Sequence, residues 1–217
     1  MEIKIINQPP SVINRFVAEM RDIEIQNYSL RFRRNMERLG EVFAYEISKS
    51  LNYKQKKVRT PLGFSKEWYL NDKIVLSSIL RAGIPFHNGL LNYFDDAENA
   101  FVSAYRRYSE EGDFDIRVEY ISSPDLNEKV LILADPMLAT GSSMELSYKA
   151  LLTNGKPKHT HIVSIIAGQA GVDYIEEKLK FEPVTLWLAA LDEELNAKSY
   201  IVPGLGDAGD LAYGAKL

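Results

Sequence analysis

A chain of 217 residues with 26 Lys and Arg against 30 Asp and Glu carries a formal net charge of −4, which disfavours general nucleic-acid binding. It has no cysteine, so disulfides, thiolate catalysis and cysteine-based zinc or iron–sulfur sites are excluded. No apolar run approaches the ~18 residues of a membrane helix, and Met1 to Asn7 lacks the apolar core of a signal peptide, so an untargeted cytoplasmic protein with no membrane partner is expected.

The length suits one α/β domain over residues 1–217, and no repeat, low-complexity tract or linker divides it. The first fifty residues read as helical. Asn27 to Leu51 carries Leu30, Phe32, Met36, Leu39, Val42, Phe43, Tyr45 and Ile47 in a stripe suited to packing on the main body or on a partner subunit. Lys54-Gln55-Lys56-Lys57 is too short a basic run for an RNA-binding face and reads as a solvated loop. Apolar strand candidates follow at Ile74 to Leu80, Ala100 to Tyr105, Val130 to Ala134, His161 to Ala167 and Val184 to Ala190. Helical patterns separate several of them, at Ile84 to Tyr93, Ser143 to Asn154 and Val172 to Lys180. Strands alternating with helices predict a doubly wound parallel sheet, whose ligands bind outside the carboxyl ends of the strands. Tyr105 to Leu126 breaks the rhythm: alternation at Phe114, Ile116, Val118 and Tyr120 beside a turn at Glu110-Glu111-Gly112-Asp113 predicts a β-hairpin. It serves either as a lid that excludes water from the site or as a plain surface hairpin.

The most informative stretch runs from Lys129 to Ser143. Val130 to Ala134 is a continuous apolar run suited to a central parallel strand, and Asp135 closes it. A turn of Thr140, Gly141, Ser142 and Ser143 then opens a helix, where free backbone N–H groups and the helix dipole attract anions. The same residues fit an ordinary capping box between Ser142 and Glu145, which needs no phosphate. The preceding acid tips the balance, since a carboxylate at a strand end can accept ribose hydroxyls while the turn holds a 5′-phosphate. Two further strand ends carry Arg81-Ala82-Gly83 and Tyr105-Arg106-Arg107, and the guanidinium fork suits a multiply charged anion. His87, His159 and His161 lack an evident third metal ligand and read as structural.

With Arg31-Phe32-Arg33, Ile79 to Gly83, Tyr105-Arg106, Asp135-Pro136-Met137-Leu138-Ala139-Thr140-Gly141 and Tyr200 to Asp210, the chain resembles the uracil phosphoribosyltransferases over nearly its whole length. These are pyrimidine-salvage enzymes of the type I phosphoribosyltransferase fold. The resemblance implies that fold, with a β-hairpin lid and an N-terminal helical extension, and transfer of a phosphoribosyl group from 5-phosphoribosyl 1-diphosphate (PRPP) to uracil. It gives Arg81, Ala82 and Arg106 to the diphosphate and Asp135 to the ribose hydroxyls. Ala139, Thr140, Gly141, Ser142 and Ser143 go to the 5′-phosphate, with Pro136, Met137 and Leu138 in the same PRPP segment. Ile201, Gly206, Asp207 and Ala208 go to uracil. Arg106, Asp135 and Asp207 would be catalytic, and Asp207 would also face PRPP through hydrated Mg²⁺, with no direct protein ligand to the metal. The peptide after Arg81 is expected to be cis. A homodimer or higher homo-oligomer is implied, and GTP as an effector is left open because Asp115 to Pro124 departs from the family's lid pattern. Two rivals stay in view: a non-catalytic regulator that keeps the fold, and transfer to another base.

Overall fold

The computed structural model describes residues 1–108 and 114–215, and the side chains of 1–103 and 119–215 among them. The first half of the chain forms β1 (Glu2–Ile5), α1 (Val12–Arg21), α2 (Ser29–Ser48), β2 (Tyr53–Thr60), β3 (Gly63–Leu70), β4 (Ile74–Leu80), α3 (Ile84–Leu91), β5 (Glu98–Tyr108) and β6 (Phe114–Ser122). The second half forms β7 (Val130–Ala134), β8 (Met137–Leu138), α4 (Ser142–Leu151), β9 (His159–Gly168), α5 (Gln169–Lys178), β10 (Val184–Asp192), β11 (Glu194–Leu195), β12 (Ile201–Val202) and α6 (Ala208–Tyr213).

The central sheet runs β1-β10-β9-β7-β4-β5-β6, with β8 beside β9. Its pairs are parallel except β5 with β6. β4, β7, β9 and β10 are buried almost end to end, which is what helices on both faces impose on parallel strands. Alternate residues of each strand feed two separate cores. On one face Leu76, Ile132, Val163 and Trp187 pack with Phe32, Met36 and Phe43 of α2 and Phe86 of α3. On the other, Val75, Leu131, Ile162 and Leu186 pack with Met144, Tyr148 and Leu151 of α4 and Val172 and Ile175 of α5. Each such side chain contributes roughly 1.5 to 3 kcal/mol by leaving water, so the helices are held by their apolar stripes.

Strands β4 and β7 match the sequence reading residue for residue, while β5, β9 and β10 extend beyond it. Two expectations need correction. Glu2–Ile5 is a strand within the stretch read as helical, held by a parallel register from Glu2↔Thr185 to Ile5↔Leu188. Lys54-Gln55-Lys56-Lys57 is no loop: it lies in β2, an antiparallel partner of β3. Its lysines cover aromatics of that hairpin, Lys56 Nζ lying 4.7 Å from the Tyr69 ring centre and Lys57 Nζ 4.2 Å from that of Phe64. The α2 stripe divides: Phe32, Met36, Leu39, Phe43 and Ile47 pack on the main body, while Leu30 and Tyr45 face outward, 68% and 55% exposed, the side left to a partner subunit in the sequence reading. The β5–β6 pair supplies the expected hairpin, and the turn placed at Glu110 to Asp113 lies outside the described residues.

Candidate active site

Strand β4 sits between β5 and β7, so the chain leaves it in one direction and returns to its other side. A doubly wound sheet opens a crevice at such a reversal, outside the carboxyl ends of the strands. The β4–β7 register, Ile74↔Val130 through Ser78↔Ala134, brings the loop after Leu80 beside the loop after Ala134. A cavity of about 680 Å³ opens there. Its wall gathers Arg81, Ala82, Asp135, Met137, Leu138, Ala139, Thr140, Gly141 and Ser143 from the first half of the site, and Ile201, Gly206, Asp207 and Ala208 from the far end of the chain.

Arg81 leaves β4 through a cis peptide between Leu80 and Arg81, one bond before the position expected. Its Nη2 reaches across the crevice, donating to Asp210 Oδ1 at 3.2 Å and to the Gly214 carbonyl at 3.3 Å. Asp135 is half-buried at the cavity floor. Its carbonyl accepts the Ser164 hydroxyl at 2.6 Å and its Oδ1 accepts the Met137 N–H at 3.3 Å. Burial pushes its carboxyl up to about 7, helped by the negative charge of Asp207 and opposed by the Met137 N–H.

The turn into α4 answers the capping question. Gly141 is the N-cap, in the left-handed region at φ +84, and has no side chain to cap the helix, while the Ser142 N–H donates to Thr140 Oγ1 at 3.4 Å. Ser142 is the first helical residue, with Thr140 donating from Oγ1 to its Oγ at 3.3 Å. Glu145 is drawn away, accepting Tyr174 Oη at 2.6 Å and pairing with Lys149 at 2.7 Å. A capping box between Ser142 and Glu145 is therefore absent, and beyond the Ser142 N–H, which Thr140 Oγ1 accepts, the helix start keeps the N–H groups and positive dipole end that suit an anion. Helix α5 backs this turn closely: a Cβ on Gly171 would lie 2.3 Å from the Ala139 carbonyl oxygen.

The last part of the wall is built by backbone. The β11–β12 hairpin delivers Ile201, and Gly204 and Gly206 turn the chain with φ +54 and +94. Asp207 then starts α6, its Oδ1 accepting the Asp210 N–H at 3.0 Å.

The family model for uracil phosphoribosyltransferase matches residues 8–215. The chain belongs to the uracil phosphoribosyltransferase family. A uracil phosphoribosyltransferase of Porphyromonas gingivalis is 61% identical over 217 residues, covering 100% of both chains. One from Methanothermobacter thermautotrophicus is 40% identical over 185 residues, covering 84% of this chain and 83% of its own. Among solved structures, the AQ2163 protein from Aquifex aeolicus is similar with a TM-score of 0.87 at 34% identity, covering 99% of both chains. A hypoxanthine phosphoribosyltransferase from Staphylococcus aureus shares the fold at a TM-score of 0.50 and 10% identity, covering 87% of this chain and 84% of that one.

Within this uracil phosphoribosyltransferase-family site, three residues named from sequence stand apart. Pro136 is not on the cavity wall, and its carbonyl accepts the Ile165 and Ile166 N–H groups at 3.1 and 3.0 Å, tying the loop to β9. Ser142 is also off the wall, turned toward Thr140. Arg106 lies in β5, with its side chain outside the described residues. Conversely, Ser103, Met144 and Ser199 line the cavity without having been named for the site, and Ile79, Leu80, Tyr200 and Gly209 line it as further members of the motifs quoted from sequence. Ser103 lies within β5 and reaches the cavity because the register sets it opposite Leu80 at the end of β4, and Ser199 adopts φ +60, a conformation its residue type does not announce.

The histidines lie elsewhere. His159 and His161 open β9 at the opposite end of the sheet, with ring centres 4.6 Å apart. His161 Nδ1 accepts the Trp187 indole N–H at 3.0 Å, His159 Nε2 meets Thr185 Oγ1 at 3.0 Å, and buried His87 meets Asn99 Oδ1 at 2.7 Å. No helix among the described residues is long and apolar enough to cross a membrane.

Proposed function

We propose that the protein transfers the 5-phosphoribosyl group of PRPP to N1 of uracil, forming uridine monophosphate and releasing diphosphate. The observation that carries this reading is the single cavity onto which a strand-end arginine, a strand-end acid, the turn that starts a helix and a glycine-rich backbone loop converge. In this reading the turn at Ala139 to Ser143 holds the 5′-phosphate and Asp135 accepts the ribose hydroxyls. Arg81 and Arg106 bind diphosphate, with Ala82 allowing close approach. Ile201 and the main chain of Gly206, Asp207 and Ala208 meet the alternating carbonyl and N–H groups of uracil.

The bond from the anomeric carbon to the diphosphate oxygen breaks, its electron pair leaving with the diphosphate, as the bond to uracil N1 forms, and the N1 proton passes to solvent water. Negative charge gathers on the leaving diphosphate, where fixed guanidinium and backbone N–H groups stabilise it with no reorganisation. Asp135 and Asp207 are oxygen donors facing one cavity and close enough for each to feel the other's charge, a set that suits a hydrated Mg²⁺ shared with PRPP. Asp207 would hold that ion through water. When bound, Mg²⁺ neutralises charge on the diphosphate.

The test is to supply purified protein with PRPP and Mg²⁺ and offer uracil, cytosine, orotate and hypoxanthine separately, with and without GTP. Uridine monophosphate from uracil alone is expected. Its absence overturns the reading, and nucleotide from another base corrects the specificity. The same reading takes the protein to be a cytoplasmic homodimer or higher homo-oligomer, which light scattering checks for the assembly.

A further inference from the structure

Asp192 ends β10 and Arg21 ends α1, and neither residue lies on the cavity wall. They form a paired, fork-to-carboxylate bridge: Arg21 Nη1 donates to Asp192 Oδ2 at 2.7 Å and Nη2 to Oδ1 at 2.8 Å. The bridge is largely out of water, with side-chain exposures of 23% for Arg21 and 8% for Asp192. An exposed pair would contribute little, but a shielded bidentate pair is directional and rigid.

The bridge is spent on one residue of the base loop. Asp192 Oδ2 accepts the Gly204 N–H at 3.0 Å, and Arg21 Nη1 donates to the Gly204 carbonyl at 3.0 Å. Both backbone polar groups of Gly204 are therefore held by a single ion pair. Gly204 itself is folded hard against Ile201: at φ +54, a Cβ there would lie 2.2 Å from the Ile201 carbonyl oxygen. Fixing Gly204 thus fixes Ile201 on one side and the chain entering Gly206 to Ala208 on the other. A loop that reads a base with main-chain groups has no side-chain rotamers to adjust, so its accuracy depends on what clamps the backbone.

We infer that Arg21 and Asp192 are positioning residues that hold the base-binding loop in register, and so set uracil affinity and its selection over other bases without touching substrate. The inference rests on the proposed role of Ile201 to Ala208 as the uracil site.

The experiment compares full-length wild-type protein with Asp192→Asn and Arg21→Lys. Steady-state kinetics vary uracil and PRPP separately, and calorimetry measures uridine monophosphate and ribose 5-phosphate. Breaking a charge-assisted network of this kind is expected to raise KM for uracil about ten- to a hundredfold. KM for PRPP should change by less than about threefold, the rate with uracil relative to cytosine should fall, and uridine monophosphate should weaken while ribose 5-phosphate does not. Arg21→Lys keeps the charge without the fork, so it carries the test if Asp192→Asn does not fold. Parallel loss for both substrates, or a lowered melting temperature with unchanged KM for uracil, overturns the inference. Wild-type protein that binds uridine monophosphate no better than ribose 5-phosphate overturns the base-site reading itself, and this inference with it.

Discussion

Arg81 and Asp210 are joined across the mouth of the cavity by an ion pair of 3.2 Å, so the guanidinium proposed to meet diphosphate already has a carboxylate partner. Both side chains are more than a third exposed, at 43% and 36%. A pair of that kind contributes on the order of 0 to 1 kcal/mol, which a multiply charged diphosphate easily displaces. Asp210→Asn is therefore expected to change KM for PRPP by less than about fivefold. Arg81→Ala removes a group proposed to act on the departing charge and is expected to cut kcat/KM about a hundredfold, as is Arg106→Ala. Steady-state kinetics check all three, and wild-type turnover by either arginine variant would remove that residue from the mechanism.

Gly141 has no room for a side chain. At φ +84 a Cβ would stand 2.8 Å from Tyr174 Cδ1 and 3.0 Å from the Gly171 carbonyl oxygen. The left-handed backbone alone costs roughly 1 to 2 kcal/mol for a residue with a Cβ. Relief requires the turn to move off α5. Gly141→Ala is expected to lower the melting temperature and raise KM for PRPP about tenfold, with KM for uracil less affected. Equal changes in both constants would show that the turn is not specific to the phosphate end.

Two buried groups pull stability in opposite directions with pH. Asp135 is raised from 3.8 to about 7, so between those values the folded state binds the extra proton and stability falls as pH rises. His161 is lowered from 6.5 to about 3, chiefly by burial and then by the nearby His159 and Lys4. There the unfolded state binds the extra proton, so stability is present above 6.5 and is lost as pH drops. Glu19, held down at about 2 by Arg31 and Asn35, acts only below 4.5. Between 4.5 and 6.5 the Asp135 and His161 slopes therefore oppose each other. Urea denaturation across this window should show a steeper rise with pH for Asp135→Asn than for wild type. His161→Gln, which keeps an acceptor for Trp187, should show a shallower one.

The same carboxyl makes a kinetic prediction. If Asp135 accepts the ribose hydroxyls it must be ionised, so kcat/KM for PRPP should climb with pH through about 7 and level off above it. Asp135→Asn should be slow at every pH and lack that inflection. A wild-type profile without the inflection would detach Asp135 from ribose binding.

Chelating Mg²⁺ is expected to stop transfer and leave the fold intact, because no group of three His, Cys, Asp or Glu among the described residues could hold a structural ion. Activity should return with excess Mg²⁺, and the melting temperature should not move. A fall in melting temperature on chelation would reveal a structural ion instead.

What the sequence determined by itself is local chemistry. Val130 to Ala134 is apolar at every position, which suits a strand covered on both faces, and the acid that closes it tips the small-residue turn after it from an ordinary helix cap toward a site. The segment from Tyr200 to Asp210 was legible only through its resemblance to the family pattern, because its composition alone fits a plain glycine-rich loop with two acids. Tertiary structure decided whatever depends on partners distant in the chain. Glu2–Ile5 becomes a strand only because β10 offers it an edge, and Lys54 to Lys57 does so only because β3 returns beside it. Ser142 is no cap because the helix starts one residue earlier than a Ser142 cap requires, with Gly141 as its N-cap, and Tyr174 and Lys149 hold Glu145 elsewhere. Arg21 is an ordinary helix-end arginine in sequence, and 171 residues separate it from the aspartate it grips. Short-range propensity carries no record of such a pairing, because the energy that holds it exists only once the chain has folded and excluded water from both charges.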